Sequence, residues 1–354
     1  MENKKTNVLI LFGGTSPEHE VSRNSAASVV ENIDREKYEI FTIGITKVGE
    51  WLLTFASPEE MRDGRWESLT ENKKAILSPD RIVHGIQFED GSQKIDVVFP
   101  VFHGECGEDG TIQGMLTIAG IPFVGPGVAS SACSMDKTIT KIIVEKTGIR
   151  QAKYFATDRV SFSEGPLETI ESIEKLFNGE YPLFVKPAGT GSSVGISKVK
   201  NQRELFEGIK YALEKDFKVL IEEMIAGREF EVAVLGNRSP KASPVGEVIS
   251  GNEFYDYEAK YSTTRSSTRI VDDVSKEKFD EFRNAAVVIY KAMGCKGLAR
   301  VDFFMTEKEE LVFNELNTIP GFTPTSMYPK MWQSAGLEYE ELLTKLLELA
   351  MEEI

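Results

Sequence analysis

Residues 298–305 read LARVDFFM and residues 310–317 read ELVFNELN, two largely apolar segments joined by a short charged turn. Their alternation of apolar and polar residues predicts two neighbouring strands. Side chains alternate between the two faces of a strand, so polar residues spaced two apart share one face. If the two polar faces coincide, a guanidinium and three oxygen donors converge. These polar residues are Arg300, Asp302, Glu315 and Asn317.

The three oxygen donors suit a divalent cation. Two carboxylates and a carboxamide are hard ligands for Mg²⁺, which keeps several waters and also takes phosphate oxygens. A guanidinium beside them can hold a phosphate or the charge of a developing acyl phosphate. Two ordinary strands with solvated charges are the alternative, but apolar residues flank Glu315 and Asn317 and argue against it. The segment therefore predicts a metal and phosphate site.

Lysines near loops of small residues are candidate phosphate ligands. Lys186 ends an apolar strand and precedes the loop Gly189–Gly195, whose unhindered amides and hydroxyls could close over phosphates. This loop matches neither the phosphate-loop pattern nor the dinucleotide-binding glycine pattern, so a plain hairpin explains it about as well. Lys137 and Lys260 are further candidates for cationic arms, and a surface position is equally compatible with each.

The chain begins with a parallel α/β pattern. Residues 7–14 (NVLILFGG) form an apolar run that ends in two glycines, and helical spacing follows over residues 20–33. A second apolar strand ends at Phe102. Open parallel sheets bind ligands beyond the carboxyl ends of their strands, so Glu18 and His103 are candidates for a substrate pocket there. A glutamate that only favours the helix dipole is the alternative for Glu18.

Three sequential units account for the pattern, and the fold class is α/β and α+β. We predict an α/β substrate-binding domain at 1–126, a central unit at 127–222 and a C-terminal unit with the metal site at 223–354. In the central unit, the spacing predicts one helix at 130–147 and a hairpin at 181–199.

The composition favours an enzyme that acts on small molecules. A net charge of -15 over 354 residues repels nucleic acid and anionic membranes. The sequence shows neither a leader pattern nor a long apolar run, so we expect a cytoplasmic protein without nucleic-acid or membrane partners. Three widely spaced cysteines are read as reduced thiols. Cys106 lies near His103 in a glycine-rich loop, which leaves a catalytic cysteine as the less favoured alternative.

Seven motifs follow one another along the chain with plausible spacing. They are GGTSPEHEVS at 13–22, FHGECGEDGTIQG at 102–114, SSACSMDK at 130–137, FVKPAGTGSSVGISKV at 184–199, FYDYEAKY at 254–261, GLARVDFF at 297–304 and FNELNTIPGFTPTS at 313–326. Together they resemble the D-alanine–D-alanine ligases of the ATP-grasp superfamily. The resemblance implies a three-domain ATP-grasp fold whose N-terminal domain is Rossmann-like. It also implies ATP-dependent joining of two D-alanines through an acyl phosphate, for peptidoglycan synthesis.

Cofactors and partners follow from this resemblance. It implies ATP, two Mg²⁺ ions that Mn²⁺ can replace, two molecules of D-alanine and a homodimer. Asp302, Glu315 and Asn317 match the family's metal ligands, with Glu315 bridging the two ions. The matches to its ATP contacts are Lys137, Lys186 and Lys260 on the phosphates, and Glu222 and Glu229 on adenine or ribose.

The resemblance also assigns catalytic groups. Glu18 matches the group that holds the ammonium of the first D-alanine. With Ser192 and Tyr261 it matches a hydrogen-bonded set that locks a mobile loop across the site. Arg300 and the backbone amide of Gly321 resemble the donors to a tetrahedral oxyanion.

Substrate choice is expected to depend on the end of the last motif. His103 matches a residue near the first substrate, and Ser326 matches the contact to the carboxylate of the second. Met327 is apolar where relatives that favour D-serine tend to carry arginine, so D-alanine is favoured as second substrate. A D-alanine–D-serine ligase of the vancomycin-resistance type is the alternative. The candidate lid spans residues 252–269.

Other protein classes fit less well. A different ATP-grasp ligase leaves Glu18 and Ser326 with no ammonium or carboxylate to hold. A nucleotide-binding protein without activity has no need of three metal ligands beside Arg300. A dinucleotide-dependent oxidoreductase requires the full glycine fingerprint, which residues 7–14 lack.

Overall fold

Three β-sheets form the framework of the chain in a computed structural model that describes residues 4–191, 194–250 and 266–352. The combination of one mixed sheet and two antiparallel sheets, all covered by helices, confirms the predicted α/β and α+β class. The boundaries at 126 and 222 stay predictions. Across the described ranges, no helix is both long and apolar enough to cross a membrane.

The first sheet is mixed. In the described part of the chain its strands are β1 Thr6–Gly13, β2 Tyr38–Ile45, β3 Trp51–Thr54, β4 Lys73–Leu77, β5 Gly85–Phe88, β6 Gly91–Lys94 and β7 Val97–Val101. They lie in the order β6-β5-β4-β3-β2-β1-β7. The central β1 pairs in parallel with β2 and β7, which confirms the predicted α/β core. The antiparallel extension through β3 to β6 was not predicted, because these strands are short and partly polar.

Helices of this unit follow the strands. They are α1 His19–Asn32, α2 Pro58–Asp63 and α3 Thr111–Ala119. The turn from β1 into α1 requires glycine at position 13, where φ is +88° and a Cβ would lie 2.2 Å from the carbonyl oxygen of Ile45. This turn places Glu18, the N-cap residue of α1, at the carboxyl end of β1.

The second sheet is antiparallel and has the order β10-β9-β11-β8. Its strands are β8 Tyr154–Asp158, β9 Leu183–Pro187, β10 Ser197–Val199 and β11 Lys218–Glu223. The helices of this region are α4 Val128–Met135, α5 Lys137–Glu145, α6 Arg159–Glu164, α7 Pro166–Leu176 and α8 Gln202–Lys215. Pairing of β9 with β10 confirms the predicted hairpin.

The single helix predicted at 130–147 is wrong, because the structure divides it into α4 and α5 at Asp136. Asp136 has an extended backbone, and its carboxylate accepts hydrogen bonds from the amides of Thr138 and Ile139. An aspartate at an N-cap starts a new helix by satisfying such orphan donors. The break fixes the position of Lys137 as the first residue of α5.

The third sheet is antiparallel throughout, in the order β14-β13-β12-β15-β16. Its strands are β12 Gly227–Leu235, β13 Lys241–Ser250, β14 Ser266–Ile270, β15 Leu298–Thr306 and β16 Leu311–Asn317. The helices after β14 are α9 Lys276–Ala292, α10 Met327–Ser334 and α11 Tyr339–Met351. The two strands predicted at 298–305 and 310–317 are confirmed as the adjacent pair β15 and β16.

The end of the chain packs against its beginning. Buried leucines of α11 share one apolar core with Val8 of β1 and Phe99 of β7. Between β16 and α10, Phe322 meets the ring of Phe99 edge-on at 5.5 Å, and its amide donates to Ser25 Oγ at 3.2 Å. This packing holds the loop after β16 against the N-terminal unit and brings the two halves of the candidate site together.

Candidate functional site

A cavity of about 850 Å³ opens between the three sheets. Its wall includes every predicted site residue that lies in the described part of the chain. These are Glu18, His103, Lys137, Lys186, Glu222, Glu229, Arg300, Asp302, Glu315, Asn317, Gly321 and Ser326. The predicted metal strands and the predicted amino-acid pocket thus face one shared space, while the role of each residue stays a prediction.

Three predicted site residues lie outside the described residues. They are Ser192, Lys260 and Tyr261, and residues 252–265 of the candidate lid lie outside as well. The described residues of the candidate lid belong to β14, where Ser267 and Thr268 line the cavity.

Strand register aligns acidic side chains across the third sheet. Asp302 on β15 is paired with Glu315 on β16 and with Glu231 on β12. The next aligned row on the same face pairs Arg300 with Asn317. Two adjacent rows therefore carry the oxygen donors and the guanidinium that the sequence predicted.

Arg300 is tied into this array by charge-assisted hydrogen bonds. Its Nε and Nη2 donate to the two carboxylate oxygens of Asp302 at 2.8 and 2.7 Å, a bidentate pair. Asn317 Nδ2 donates to Asp302 Oδ2 at 2.8 Å. Burial favours a lower pKa for Arg300, but the charges of Asp302 and Glu231 outweigh it and raise that pKa well above its ordinary value. The guanidinium is held as a fixed, largely buried positive charge.

Glu231 was missed by the sequence reasoning. It is 7% exposed, and one of its oxygens lies 3.3 Å from Arg300 Nε. The signal was present, because Glu229 and Glu231 are two apart on β12 and both line the cavity. Glu231 gives Arg300 a second carboxylate partner in addition to Asp302.

A second ionic group lies in the central unit. Lys186 on β9 places its Nζ 2.6 Å from Glu222 Oε2 on β11, and Lys141 on α5 contacts Oε1 of the same carboxylate. Burial alone would raise the pKa of Glu222, but the two lysines lower it to about 2. Glu222 is therefore ionised at neutral pH. Lys141 was not among the predicted residues.

Lys137 contacts the loop that follows β9. Its Nζ donates to the carbonyl oxygen of Thr190 at 2.8 Å, and its amide donates to Ala188 at 3.0 Å. Gly189 donates its own amide to Asp216 at 2.5 Å. Helix α5 and Gly191 thus line one side of the cavity, together with Lys137 and Lys186.

The N-terminal wall contributes Glu18 and His103. Both are buried, at 9% and 6% exposure. His103 Nε2 lies 3.3 Å from Ser25 Oγ, and burial lowers the pKa of the imidazole, which is neutral at pH 7. Gly104 has a φ of +75°, and a Cβ there would lie 3.0 Å from Glu18 Oε2. The glycine leaves room for the Glu18 carboxylate beside the cavity.

Glu108 is a further acidic group in the same wall. Its carboxylate accepts the amide of Gly104 at 2.7 Å and the amide of Ile319 at 3.4 Å. Burial and the nearby charge of Glu18 raise the pKa of Glu108 to about 8. The sequence placed His103 and Glu18 at this wall, but it could not show that Glu108 is buried beside another carboxylate.

The loop after β16 brings Gly321 close to Ser326. Ser326 Oγ accepts the amide of Thr323 at 3.0 Å and lies 2.8 Å from the Thr323 hydroxyl. A Cβ at position 321 would lie only 2.7 Å from Ser326 Oγ, so glycine keeps this corner open. Ser326 is also the N-cap residue of α10, a position where partial positive charge favours anions.

Cys106 does not fit the alternative of a cysteine nucleophile. Its side chain is largely exposed, and partial burial of the thiol together with the negative charges of Asp109 and Glu105 raises its pKa. A reactive cysteine requires the opposite shift, toward thiolate. The carboxylates, lysines and Arg300 therefore remain the candidates for the chemistry of the cavity.

Comparison with known proteins covers nearly the whole chain. Residues 7–126 match the family described as D-ala D-ala ligase N-terminus, and residues 143–348 match D-ala D-ala ligase C-terminus. The chain is 46% identical to D-alanine–D-alanine ligase B of Clostridium tetani, over 98% of this chain and 94% of that one. The D-alanine–D-alanine ligase of Acetivibrio thermocellus is 47% identical, over 98% and 96%. The crystal structure of VanG D-Ala:D-Ser ligase from Enterococcus faecalis superposes with a TM-score of 0.89 at 40% identity, over 98% and 100%.

Proposed function

The chain belongs to the D-alanine–D-alanine ligase family, and on that premise we propose that it joins two D-alanines into D-alanyl-D-alanine at the expense of ATP. It is an ATP-dependent ligase of the ATP-grasp fold. The product serves peptidoglycan precursor synthesis in the cytoplasm, and the active form is a homodimer. The observation that carries the proposal is the shared cavity, which Glu18 and His103 line together with Arg300 and its carboxylates.

The first substrate binds at the N-terminal wall. The buried carboxylate of Glu18 holds its ammonium, and the neutral imidazole of His103 lies beside it. This orientation directs the substrate carboxylate toward the third sheet. A carboxylate oxygen then attacks the γ-phosphate of ATP, and an acyl phosphate and ADP are formed.

The nucleotide phosphates bind along the central wall. Lys137 and Lys186 face the cavity on two sides of the glycine-rich loop and neutralise phosphate charge. Lys260 is proposed as a third phosphate contact. Glu222 and Glu229 are proposed at the adenine or ribose end, with Glu222 already fixed by its two lysines.

A divalent cation fits the donors of the third sheet. Within the residues that the structure describes, no three His, Cys, Asp or Glu side chains form a ready metal cage. Mg²⁺ is typically held by one or two carboxylates together with substrate phosphates, so such a cage is not required. Asp302, Glu315 and Asn317 supply suitable oxygen donors on adjacent strands. When two Mg²⁺ ions are bound there, they supply charge neutralisation for the transferred phosphate.

The second half-reaction takes place at the loop after β16. Ser326 holds the carboxylate of the second D-alanine at the start of α10. Its amine attacks the acyl phosphate, and phosphate leaves. Arg300 and the Gly321 amide donate to the tetrahedral oxyanion. Ser192 and Tyr261 are proposed to join Glu18 in closing the site, because an acyl phosphate must be kept from water.

D-serine as second substrate is the second candidate, because VanG from Enterococcus faecalis superposes well on this chain. Met327, next to Ser326, is 5% exposed and lines the cavity. An apolar wall favours the methyl group of D-alanine over a hydroxyl by about 1 to 3 kcal/mol. D-alanine therefore remains the proposed second substrate.

An assay of phosphate release tests the proposal. The protein is incubated with MgATP and D-alanine, D-alanine plus D-serine, D-alanine plus D-lactate, or L-alanine, and the products are identified by mass. We expect release with D-alanine alone, and D-alanyl-D-alanine as the main product even in the mixtures. Release that does not depend on D-alanine would overturn the activity, and D-alanyl-D-serine as main product would establish the second candidate.

A further inference from the structure

A third residue, Lys141, joins the ion pair between Lys186 and Glu222, and the proposed function gives it no role. We propose that Lys141 is a positioning residue: by pairing with Glu222, it leaves Lys186 with a positive charge for the nucleotide phosphates. This inference rests on the proposed function, because it requires ATP to bind along the central wall of the cavity.

The geometry assigns one carboxylate oxygen to each lysine. Lys141 Nζ contacts Glu222 Oε1, and Lys186 Nζ lies 2.6 Å from Glu222 Oε2. Lys141 Nζ also donates to the carbonyl oxygen of Ala152 at 3.3 Å and lies 5.5 Å from the centre of the Tyr154 ring. Lys141 is 2% exposed. Its ammonium is engaged by protein groups, so it acts through Glu222.

The charge of this trio differs from that of a simple pair. Two ammonium groups and one carboxylate sum to one positive charge, whereas Lys186 and Glu222 alone sum to zero. Charges that are shielded from water interact more strongly than exposed ones. Lys186 lines the cavity, so the extra charge is delivered to the wall that the phosphates approach. Without Lys141, Glu222 would cancel the charge that Lys186 presents.

Loss of Lys141 should leave the fold intact. Helix α5 is tied to β11 a second time, through the ion pair of Asp136 with Lys218. Glu222 would keep Lys186 as a partner and would not become an unpaired buried charge, which is the costly case. Lys141 follows Lys137 by one helical turn, on the same face of α5. This face thus carries one lysine that contacts the glycine-rich loop and one that supports Lys186.

The test compares nucleotide affinity in four variants. Lys141→Met removes the charge, Lys141→Arg keeps it, and Lys141→Met combined with Glu222→Gln restores the net charge of the trio. Lys146→Met is the matched control, because Lys146 lies just after α5 and is exposed. Calorimetry measures the Kd of MgATP and of AMP for each folded variant, and thermal melting reports stability.

We expect Lys141→Met to raise the Kd of MgATP about tenfold, which corresponds to about 1.4 kcal/mol of binding free energy. The Kd of AMP should rise less, because AMP carries fewer phosphate charges. Lys141→Arg and Lys146→Met should bind MgATP as the wild type does. The double variant should recover the wild-type ratio of MgATP affinity to AMP affinity, because the adenine or ribose contact proposed for Glu222 is common to both nucleotides. If Lys141→Met does not fold, Lys141→Gln provides the same comparison.

A structural role for Lys141 predicts a different pattern. Unchanged MgATP affinity in folded Lys141→Met, equal weakening of AMP and MgATP binding, or a double variant whose ratio of MgATP to AMP affinity is no better than that of Lys141→Met would each overturn the inference. If the wild type itself fails to bind MgATP, the proposed function fails first.

Discussion

Truncation of Arg300 to alanine separates the structural and chemical roles of the third sheet. Arg300 makes two hydrogen bonds to Asp302 and lies 3.3 Å from Glu231. Both carboxylates are buried, so the truncation removes the guanidinium that lies between two like charges. Breaking a buried ion pair in this way typically costs about 3 to 5 kcal/mol. We expect a loss of about 3 kcal/mol in the free energy of unfolding without Mg²⁺.

The chemical effect of the same change is larger. Removal of one donor to an oxyanion lowers kcat by about 10² to 10³. Lys137 and Lys186 lie on the central wall and keep their contacts, so the Kd of MgATP should change by less than about twofold. Arg300→Lys keeps the charge but loses the bidentate hydrogen bonding to Asp302, so we expect its kcat to lie between those of the wild type and Arg300→Ala.

The assay combines urea unfolding, calorimetric titration of MgATP and steady-state turnover at saturating D-alanine. Added Mg²⁺ should restore part of the lost stability in Arg300→Ala, because a cation replaces the missing positive charge between the carboxylates. If Arg300→Ala loses ATP affinity and turnover by the same factor, Arg300 has no special role in the transition state and the reasoning is refuted.

Two further predictions address other carboxylates. Glu315→Gln should abolish Mg²⁺-dependent phosphate release. Glu310→Gln, an exposed change in the same hairpin, should leave it unchanged. Full activity in Glu315→Gln would remove the assignment of Glu315 as a metal ligand. Burial and the charge of Glu18 raise the pKa of Glu108 from 4.5 to about 8. The protonated form therefore contributes its full stability below pH 4.5, and this contribution is lost as the pH rises through about 8. Urea unfolding without Mg²⁺ should show the wild type losing about 3 to 5 kcal/mol between pH 5 and 9 relative to Glu108→Gln, and parallel curves for the two proteins would contradict the shift.

The metal strands were predictable because their information is local. Period-two alternation placed Arg300 with Asp302 on one face and Glu315 with Asn317 on another, and the strand register brought the two faces together. A charged turn of a few residues between two strands leaves little freedom for any other pairing. The predicted convergence in this hairpin therefore needed no knowledge of the rest of the chain.

Residues whose roles depend on distant partners were harder to predict. Glu108 is unusual because it is buried beside Glu18, and its carboxylate also accepts the amide of Ile319, more than 200 positions away in sequence. Lys141 is distinctive only because β11 places Glu222 against α5. Helical spacing could have marked Lys141 through its neighbour Lys137, but no pattern in α5 shows that the side chain is buried.

Packing between the units could not be derived from the sequence either. The pattern of α11 shows an apolar face, but an apolar face does not specify the surface that covers it. In the structure that surface is the N-terminal sheet. The break at Asp136 was also overlooked, because apolar spacing continues from α4 into α5 and only the capping contacts separate them.

Transfer of oxygen from substrate to phosphate tests the central claim most directly. D-alanine with ¹⁸O in both carboxylate oxygens is incubated with MgATP and the protein, and the released phosphate is analysed by mass. Attack of the carboxylate on the γ-phosphate predicts one ¹⁸O atom in each phosphate released and one retained in the peptide bond. Phosphate free of ¹⁸O, formed together with the dipeptide, would show that no acyl phosphate is made and would contradict the proposed activation of D-alanine in this cavity.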